Sequence, residues 1–235
     1  MIKGYIFDYG GTLDTGGCHW GKVLWSAYMR HGVPVTEDRF REAYVYAERF
    51  LGKGETVKPG HTFRKTLSMK LEIEMNRLVS TGSWTAGEEK INRLHEDILE
   101  DVYDGVRRAT AYSRGVLEKI KERYPMVLVS NFYGNINTVL AEFGLDCLFN
   151  GVIESAVVGV RKPDPRIFRL GTDALGLNPE DVMVVGDSFT NDIIPAAAAG
   201  CRTAWLKGEG WTDAVYDEQL PDVIIKDLSR LLSEV

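Results

Sequence analysis

Six short apolar runs, rich in β-branched residues and bounded by turn signals, constrain the fold more than any other feature of the chain. They are YIFDY (5–9), MVLVSN (126–131), GVIESAVV (151–158), VMVVGD (182–187), RTAWL (202–206) and DVIIK (222–226). Four of them are nearly continuous in apolar residues. That pattern suits strands buried on both faces, as in a parallel sheet covered by helices on either side. Between them lie SRGVLEKIKERY (113–124), NINTVLAEFG (135–144) and DPRIFRLGTDALG (164–176), which read as helices, with Gly144 and Gly176 as C-terminal stops. Strand alternating with helix predicts an α/β fold with a doubly wound, Rossmann-like parallel sheet.

Residues 16–110 break this rhythm. HWGKVLWSAYMRHG, EDRFREAYVYAERFLG, TFRKTLSMKLEIEMNRLV and TAGEEKINRLHEDILEDVYDG are long, amphipathic and without convincing strand signals. The expected organisation is a discontinuous core, 1–15 and 111–235, with a helical domain over 16–110 inserted after the first strand. LGKGETVKPGH (51–61) is the expected exposed loop inside the insert. Trp20, Trp25, Tyr28, Tyr44 and Tyr46 recur at spacings that suit helical core packing, whereas Trp205 and Trp211 are candidates for the mouth of a pocket.

At 235 residues the chain can bury a core without disulfides or a structural metal. No apolar run approaches the roughly 20 residues needed to span a bilayer, and MIKGYIFDYG lacks the apolar stretch of a signal peptide. Three widely spaced cysteines, Cys18, Cys147 and Cys201, read as reduced thiols, so a cytoplasmic location is expected. A net charge of −6 with scattered Lys and Arg argues against nucleic acid as the main partner, and no membrane partner is expected.

Open α/β sheets bind ligands beyond the carboxyl ends of their strands. There this sequence places Asp8, then Ser130 with Asn131, then Asp187, and VRKPDPRIF supplies Lys162 on a loop ahead of a helix. Singly, each is ordinary turn or capping chemistry. Their order on alternate elements of one sheet is not. FDYGGTL, VLVSNF, GVRKPDPRIF and GDSFTND resemble, in order, the four motifs of the haloacid dehalogenase superfamily. The resemblance covers the expected core, and the insert stands where that family carries a helical cap.

The resemblance implies a hydrolase, most simply a phosphatase acting on a small phosphorylated metabolite, with Asp8 as nucleophile forming an aspartyl phosphate. Two approaching anions demand positive charge and hydrogen-bond donors. Mg²⁺ is the cation implied, held by Asp8, the backbone carbonyl of Gly10 and Asp187, with Asp192 as a further ligand or the holder of a metal-bound water. Ser130, Asn131, Gly11 and the backbone of Phe132 are expected at the phosphate, with Lys162 neutralising the cluster.

Gly10 departs from the family pattern. Phosphatases of this family carry there a second aspartate that protonates the leaving oxygen and later activates water. Glycine keeps the carbonyl and loses the acid and base. Asp14, His19, Lys53, Lys58 and His61 are candidate substitutes. An activated leaving group, such as an acyl phosphate, would need little help. Two alternatives remain open: a weak or silent relative that binds a phosphorylated ligand, and a 2-haloacid dehalogenase. Retention of both Asp187 and Asp192 favours metal-dependent phosphoryl chemistry over dehalogenation, since buried acids without a cation are costly.

Overall fold

A computed structural model describes residues 1–53, 56–212 and 214–233. Residues 54 and 55 of the loop expected over 51–61 lie outside the described residues. Strands β1 (Gly4–Phe7), β2 (Met126–Ser130), β3 (Gly151–Glu154), β4 (Val182–Gly186), β5 (Arg202–Leu206) and β6 (Val223–Ile225) form one sheet. Their order is β3-β2-β1-β4-β5-β6, and every neighbouring pair is parallel. This is the doubly wound α/β arrangement that the apolar runs predict.

The first strand is central because both of its faces are covered. Tyr5 and Phe7 point into one core with Leu128, Val185, Leu117 and Ile120. Ile6, on the opposite face by strand alternation, joins Val127, Val129, Val184 and Phe168 in a second core. Helices α5 (Ile136–Glu142), α7 (Arg166–Leu175) and the short α8 (Ile194–Ala198) complete the two outer layers.

Two sequence expectations change. The run 151–158 is a strand only through Glu154, after which Ser155–Val158 form a helical turn, α6. β3 is an edge strand whose last partner is Ser130, paired with Glu154, so beyond that point no ladder remains to hold an extended chain. Val157 accordingly stands 74% exposed. The helix expected at 113–124 is the C-terminal part of α4 (Glu88–Lys121), whose buried stripe continues from Leu94 through Val102 and Val106 to Val116 and Ile120. Residues 110 and 111 therefore lie within one continuous helix. No described helix is long and apolar enough to cross a membrane.

The insert contributes α1 (Trp20–Arg30), α2 (Glu37–Leu51) and α3 (Phe63–Ser80), with α2, α3 and α4 packed in succession. Thr36 and Thr62 cap α2 and α3 by accepting from the N–H groups of Arg39 and Lys65. The start of α3 is tied to the sheet's helical layer by polar contacts. Glu142, at the end of α5, accepts from the backbone N–H groups of Phe63 and Arg64 and from the Tyr103 hydroxyl at 2.8 Å. Its negative charge also faces the positive end of the α3 dipole. Asn135 donates to the carbonyl of His61 at 2.8 Å, and Thr138 to that of Pro59 at 2.6 Å. Glu142→Ala leaves these donors without their acceptor and is expected to lower stability by about 1–3 kcal/mol in urea unfolding; a loss below about 0.5 kcal/mol would show that this tie contributes little.

Candidate active site

The site begins where the ladder ends. Asp8 lies one residue past β1, and its backbone N–H still donates to Val185 O at 3.0 Å, which holds the side chain at the carboxyl edge of the sheet. The chain then turns through Gly11, with φ +97°, a conformation that favours glycine. A Cβ there would also lie 2.5 Å from the Asp187 carboxylate, so glycine is required twice over. The turn brings the Thr12 hydroxyl to 2.9 Å from Asp8 Oδ2 and 3.1 Å from Asp187 Oδ1, while it accepts the Asp187 N–H at 3.0 Å.

Lys162 arrives from the other side. The Asn131 amide clamps its backbone, accepting from the Lys162 N–H at 3.0 Å and donating to the Lys162 carbonyl at 3.0 Å. The ammonium sits 2.6 Å from Asp8 Oδ1 and 2.7 Å from Asp192 Oδ1. Burial by itself favours a neutral amine, but Asp192 and Asp8 outweigh it and hold Lys162 above the ordinary lysine range. Burial pushes Asp192 up to about 6 against the pull of Lys162. Burial, followed by the charges of Asp8 and Asp192, pushes Asp187 well above the usual carboxylate range.

One carboxylate oxygen each from Asp8, Asp187 and Asp192 lies within 4.8 Å of the others. Two ligands across a magnesium ion stand about 4.2 Å apart. A hard divalent cation therefore fits this oxygen donor set after small side-chain adjustments. The charges fit as well, because three carboxyl groups cluster where there is one ammonium, that of Lys162, paired with Asp8 and Asp192.

Two adjoining chambers open here. The inner one, about 100 Å³, is bordered by Asp8, Ser130 and Lys162. The outer one, about 240 Å³, lies between the sheet edge and the insert and is bordered by His19, Trp20, Lys70 and Asp187. Gly10, Asn131 and Phe132 border both.

A family model described as haloacid dehalogenase-like hydrolase matches residues 2–200. The chain belongs to the haloacid dehalogenase-like hydrolases. It is 33% identical to the glyceraldehyde 3-phosphate phosphatase of Methanothermobacter thermautotrophicus, with 98% of each chain covered. It is 28% identical to the phosphoglycolate phosphatase of Haemophilus influenzae over 72% of this chain and 70% of that one. A crystal structure of a dehalogenase shares the fold, with a TM-score of 0.63 at 19% identity, covering 100% of this chain and 97% of the other.

In this hydrolase, packing does not demand glycine at position 10, where a Cβ would approach nothing closer than the Trp20 indole nitrogen at 4.0 Å. Of the candidate substitutes for the missing acid, Asp14 is turned away. It is 1% exposed, and its oxygens accept from the Gly11 N–H at 2.7 Å and from Trp20 Nε1 at 3.0 Å. Burial pushes its carboxyl up to about 8 despite those two donors. His61 and Lys53 border neither chamber: His61 Nδ1 accepts from the Lys58 N–H, and Lys53 lies over the Phe50 ring. Lys58 borders neither chamber. His19 does reach the outer chamber.

The aromatic expectations divide. Tyr28 and Tyr44 belong to the core, with Trp20 and Trp25 packed against it; Trp20 and Tyr44 also border the outer chamber, and Tyr46 is 41% exposed. Trp205 is buried behind the site, where its indole N–H donates to the Asp187 carbonyl, and Trp211 backs His19. Sequence reasoning missed Lys70, Glu48, Tyr133 and Arg161, which also border the outer chamber. A signal existed for the first: Lys70 and Glu74 interrupt the apolar face Leu67, Leu71, Met75 and Leu78 of α3.

Glu74 is fully buried, with Oε2 accepting from the Tyr28 hydroxyl at 3.2 Å and Oε1 without a hydrogen-bond partner among the described residues. Burial pushes its carboxyl up to about 7, against the attraction of Lys70. The folded state thus binds the proton more tightly than the unfolded chain, whose carboxyl titrates at about 4.5. This contribution to stability is full below pH 4.5 and is lost as pH rises through 7. Glu74→Gln is expected to gain about 3 kcal/mol on the wild type between pH 4.5 and 8 in urea unfolding; an offset independent of pH would contradict it.

Proposed function

We propose that this chain is a magnesium-dependent phosphatase acting on a small phosphorylated metabolite, with Asp8 as nucleophile. The observation that carries the reading is the Lys162 ammonium held between Asp8 and Asp192 while Asp187 completes a carboxylate triad. The core, 1–15 and 111–235, supplies these groups, and the helices of 16–110 act as a cap over the outer chamber.

Asp8, the carbonyl of Gly10 and Asp187 would hold the ion, with Asp192 beside them. When bound, it supplies positive charge that offsets the negative charge of the phosphoryl group and of the attacking carboxylate. Lys162 orients Asp8 through Oδ1, leaving Oδ2, shared with the Thr12 hydroxyl, as the attacking atom. Ser130 and Asn131 border the phosphoryl site, and the Ser130 hydroxyl and the Asn131 N–H bind its oxygens; Gly11, expected there as well, borders the outer chamber and gives its N–H to Asp14, so its part is the tight turn beside Asp187. The phosphoryl group passes to Asp8 as the P–O bond to the leaving group breaks, and water then releases phosphate.

Gly10 supports a second reading, a phosphate-ligand binder with little turnover, because the general acid and base of the family are absent. Such catalysis is worth typically 10² to 10⁴-fold, or about 3 to 5 kcal/mol of barrier. Dehalogenation is disfavoured by the charge balance, because three carboxylates beside one ammonium suit a cation.

Phosphate release from a panel of phosphorylated metabolites, with and without Mg²⁺, tests the proposal. Activity is expected to require Mg²⁺ and to fall at least about 10³-fold in Asp8→Asn. Halide release from 2-haloacids without metal would overturn it, and phosphate-ligand binding without turnover would select the binder.

A further inference from the structure

The outer chamber contains a polar cluster for which phosphoryl transfer to Asp8 has no evident use. The His19 ring accepts the Gly21 N–H on Nδ1 at 3.0 Å, so the remaining ring proton of the neutral imidazole resides on Nε2. The ring stacks on Trp211, with centroids 5.3 Å apart. Burial first, then the positive charges of Lys70 and Arg41, push its protonation down to about 4 against the pull of Glu48, so it stays neutral at physiological pH. Tyr44 also faces it, from α2.

Lys70 forms an ion pair with Glu48, and its side chain is 8% exposed. The ammonium lies 4.2 Å from the centre of the Tyr44 ring. The second oxygen of Glu48 accepts from the Tyr133 hydroxyl at 2.8 Å. Burial opposes its charge, but Lys70 and its hydrogen-bond donors hold the Glu48 carboxyl below the usual range.

These partners decide what the chamber can do for a departing group. Glu48 is committed to Lys70 and Tyr133, Asp14 faces away, and position 10 has no side chain. None of these three positions offers the departing group a proton from a carboxylic acid, and Asp187, which also borders the chamber, is the group assigned to the ion. The chamber offers an imidazole N–H and an ammonium, donors that stabilise negative charge while keeping their hydrogens.

We infer that the outer chamber is a subsite for leaving groups that depart as stable oxyanions, held by His19 Nε2–H and Lys70, and that the substrates are acyl or enol phosphates. The inference rests on the phosphatase reading. Asp8 forms its bond to phosphorus as the bond to the leaving oxygen breaks, and the electron pair stays on a carboxylate or enolate that needs no proton. Water then adds to phosphorus, the Asp8–phosphorus bond breaks with its electrons returning to Asp8, and both hydrogens of the water remain on dihydrogen phosphate. The first step needs no proton from the carrier that Gly10 lacks, and the second, which proceeds without a base at position 10, is common to every substrate.

The test compares kcat/KM of the full chain with Mg²⁺ on acetyl phosphate, p-nitrophenyl phosphate and glycerol 1-phosphate. The wild type is expected to favour acetyl phosphate over glycerol 1-phosphate by at least about 100-fold, the scale of the missing acid catalysis. His19→Phe and Lys70→Met are expected to lower kcat/KM on acetyl phosphate at least tenfold, with a smaller effect on p-nitrophenyl phosphate. His19→Gln, which retains an N–H donor, restores much of the loss. Gly10→Asp is expected to raise turnover of glycerol 1-phosphate more than that of acetyl phosphate. Rates on acetyl and glycerol phosphates within threefold of each other in the wild type would overturn the subsite and leave the phosphatase reading standing. Equal losses on all three substrates in the two deletion variants would do the same. Release of phosphate from none of the three would overturn both.

Discussion

The candidate site depends on one cation placed between two buried anions. Lys162 meets Asp8 and Asp192 at 2.6 and 2.7 Å, where all three side chains have lost most of their water. Each charge alone would be costly to bury, and it is their mutual attraction that makes the burial tolerable. The surrounding architecture serves this contact. Asn131 grips the lysine's backbone from the end of one strand, the ladder of another places Asp8, and the Ser188 N–H holds the far oxygen of Asp192 at 3.0 Å. One ammonium does not balance three carboxylates, and the residual negative charge makes the site receptive to a hard divalent cation.

The contrast between the two chambers gives the site its character. The inner one is built from sheet-edge groups suited to a phosphoryl group. The outer one adds, opposite the sheet-edge loops, groups from α2, α3 and the start of α1, among them a charged pair and aromatic faces. Between them, at Gly10, there is room for a side chain and none is present. On the proposed reading, Asp8, Lys162 and the carboxylates stand without a proton carrier at position 10, which favours chemistry in which the departing oxygen already tolerates a negative charge. The ties from Glu142, Asn135 and Thr138 to the start of α3 place the outer wall against the sheet's helical layer.

Much of the fold was legible because local sterics and burial act on short windows of chain. Strands buried on both faces read as apolar runs, and β1, β2, β4 and β5 fall where those runs lie. The departures from this pattern have longer-range causes. The run 151–158 is apolar enough for a strand throughout, but only the length of its neighbour decided that it ends at Glu154. The helix at 113–124 was visible, while its continuity back to Glu88 depended on packing against both the insert and the sheet. Lys70 is not marked by the sequence alone, because a lysine on an amphipathic helix ordinarily faces water, and nothing local shows that Glu48 and Tyr44 enclose it. Tyr46, at a spacing that suits core packing, is exposed instead.

The sequence by itself determined the periodicities that make the sheet, the kinds of chemistry stationed at its strand ends, and the absence of an acid at position 10. These follow from covalent geometry and side-chain type, properties that each residue carries wherever it lies. Only the tertiary structure decided that Asp8, Asp187 and Asp192 share one charge cluster, that Asp14 points away from it, and that His19 and Lys70 face a common chamber. Proximity between residues as far apart as Asp8 and Lys162 arises from the packing of whole elements against two cores. That energy is spread over many contacts, and no short stretch of sequence records it.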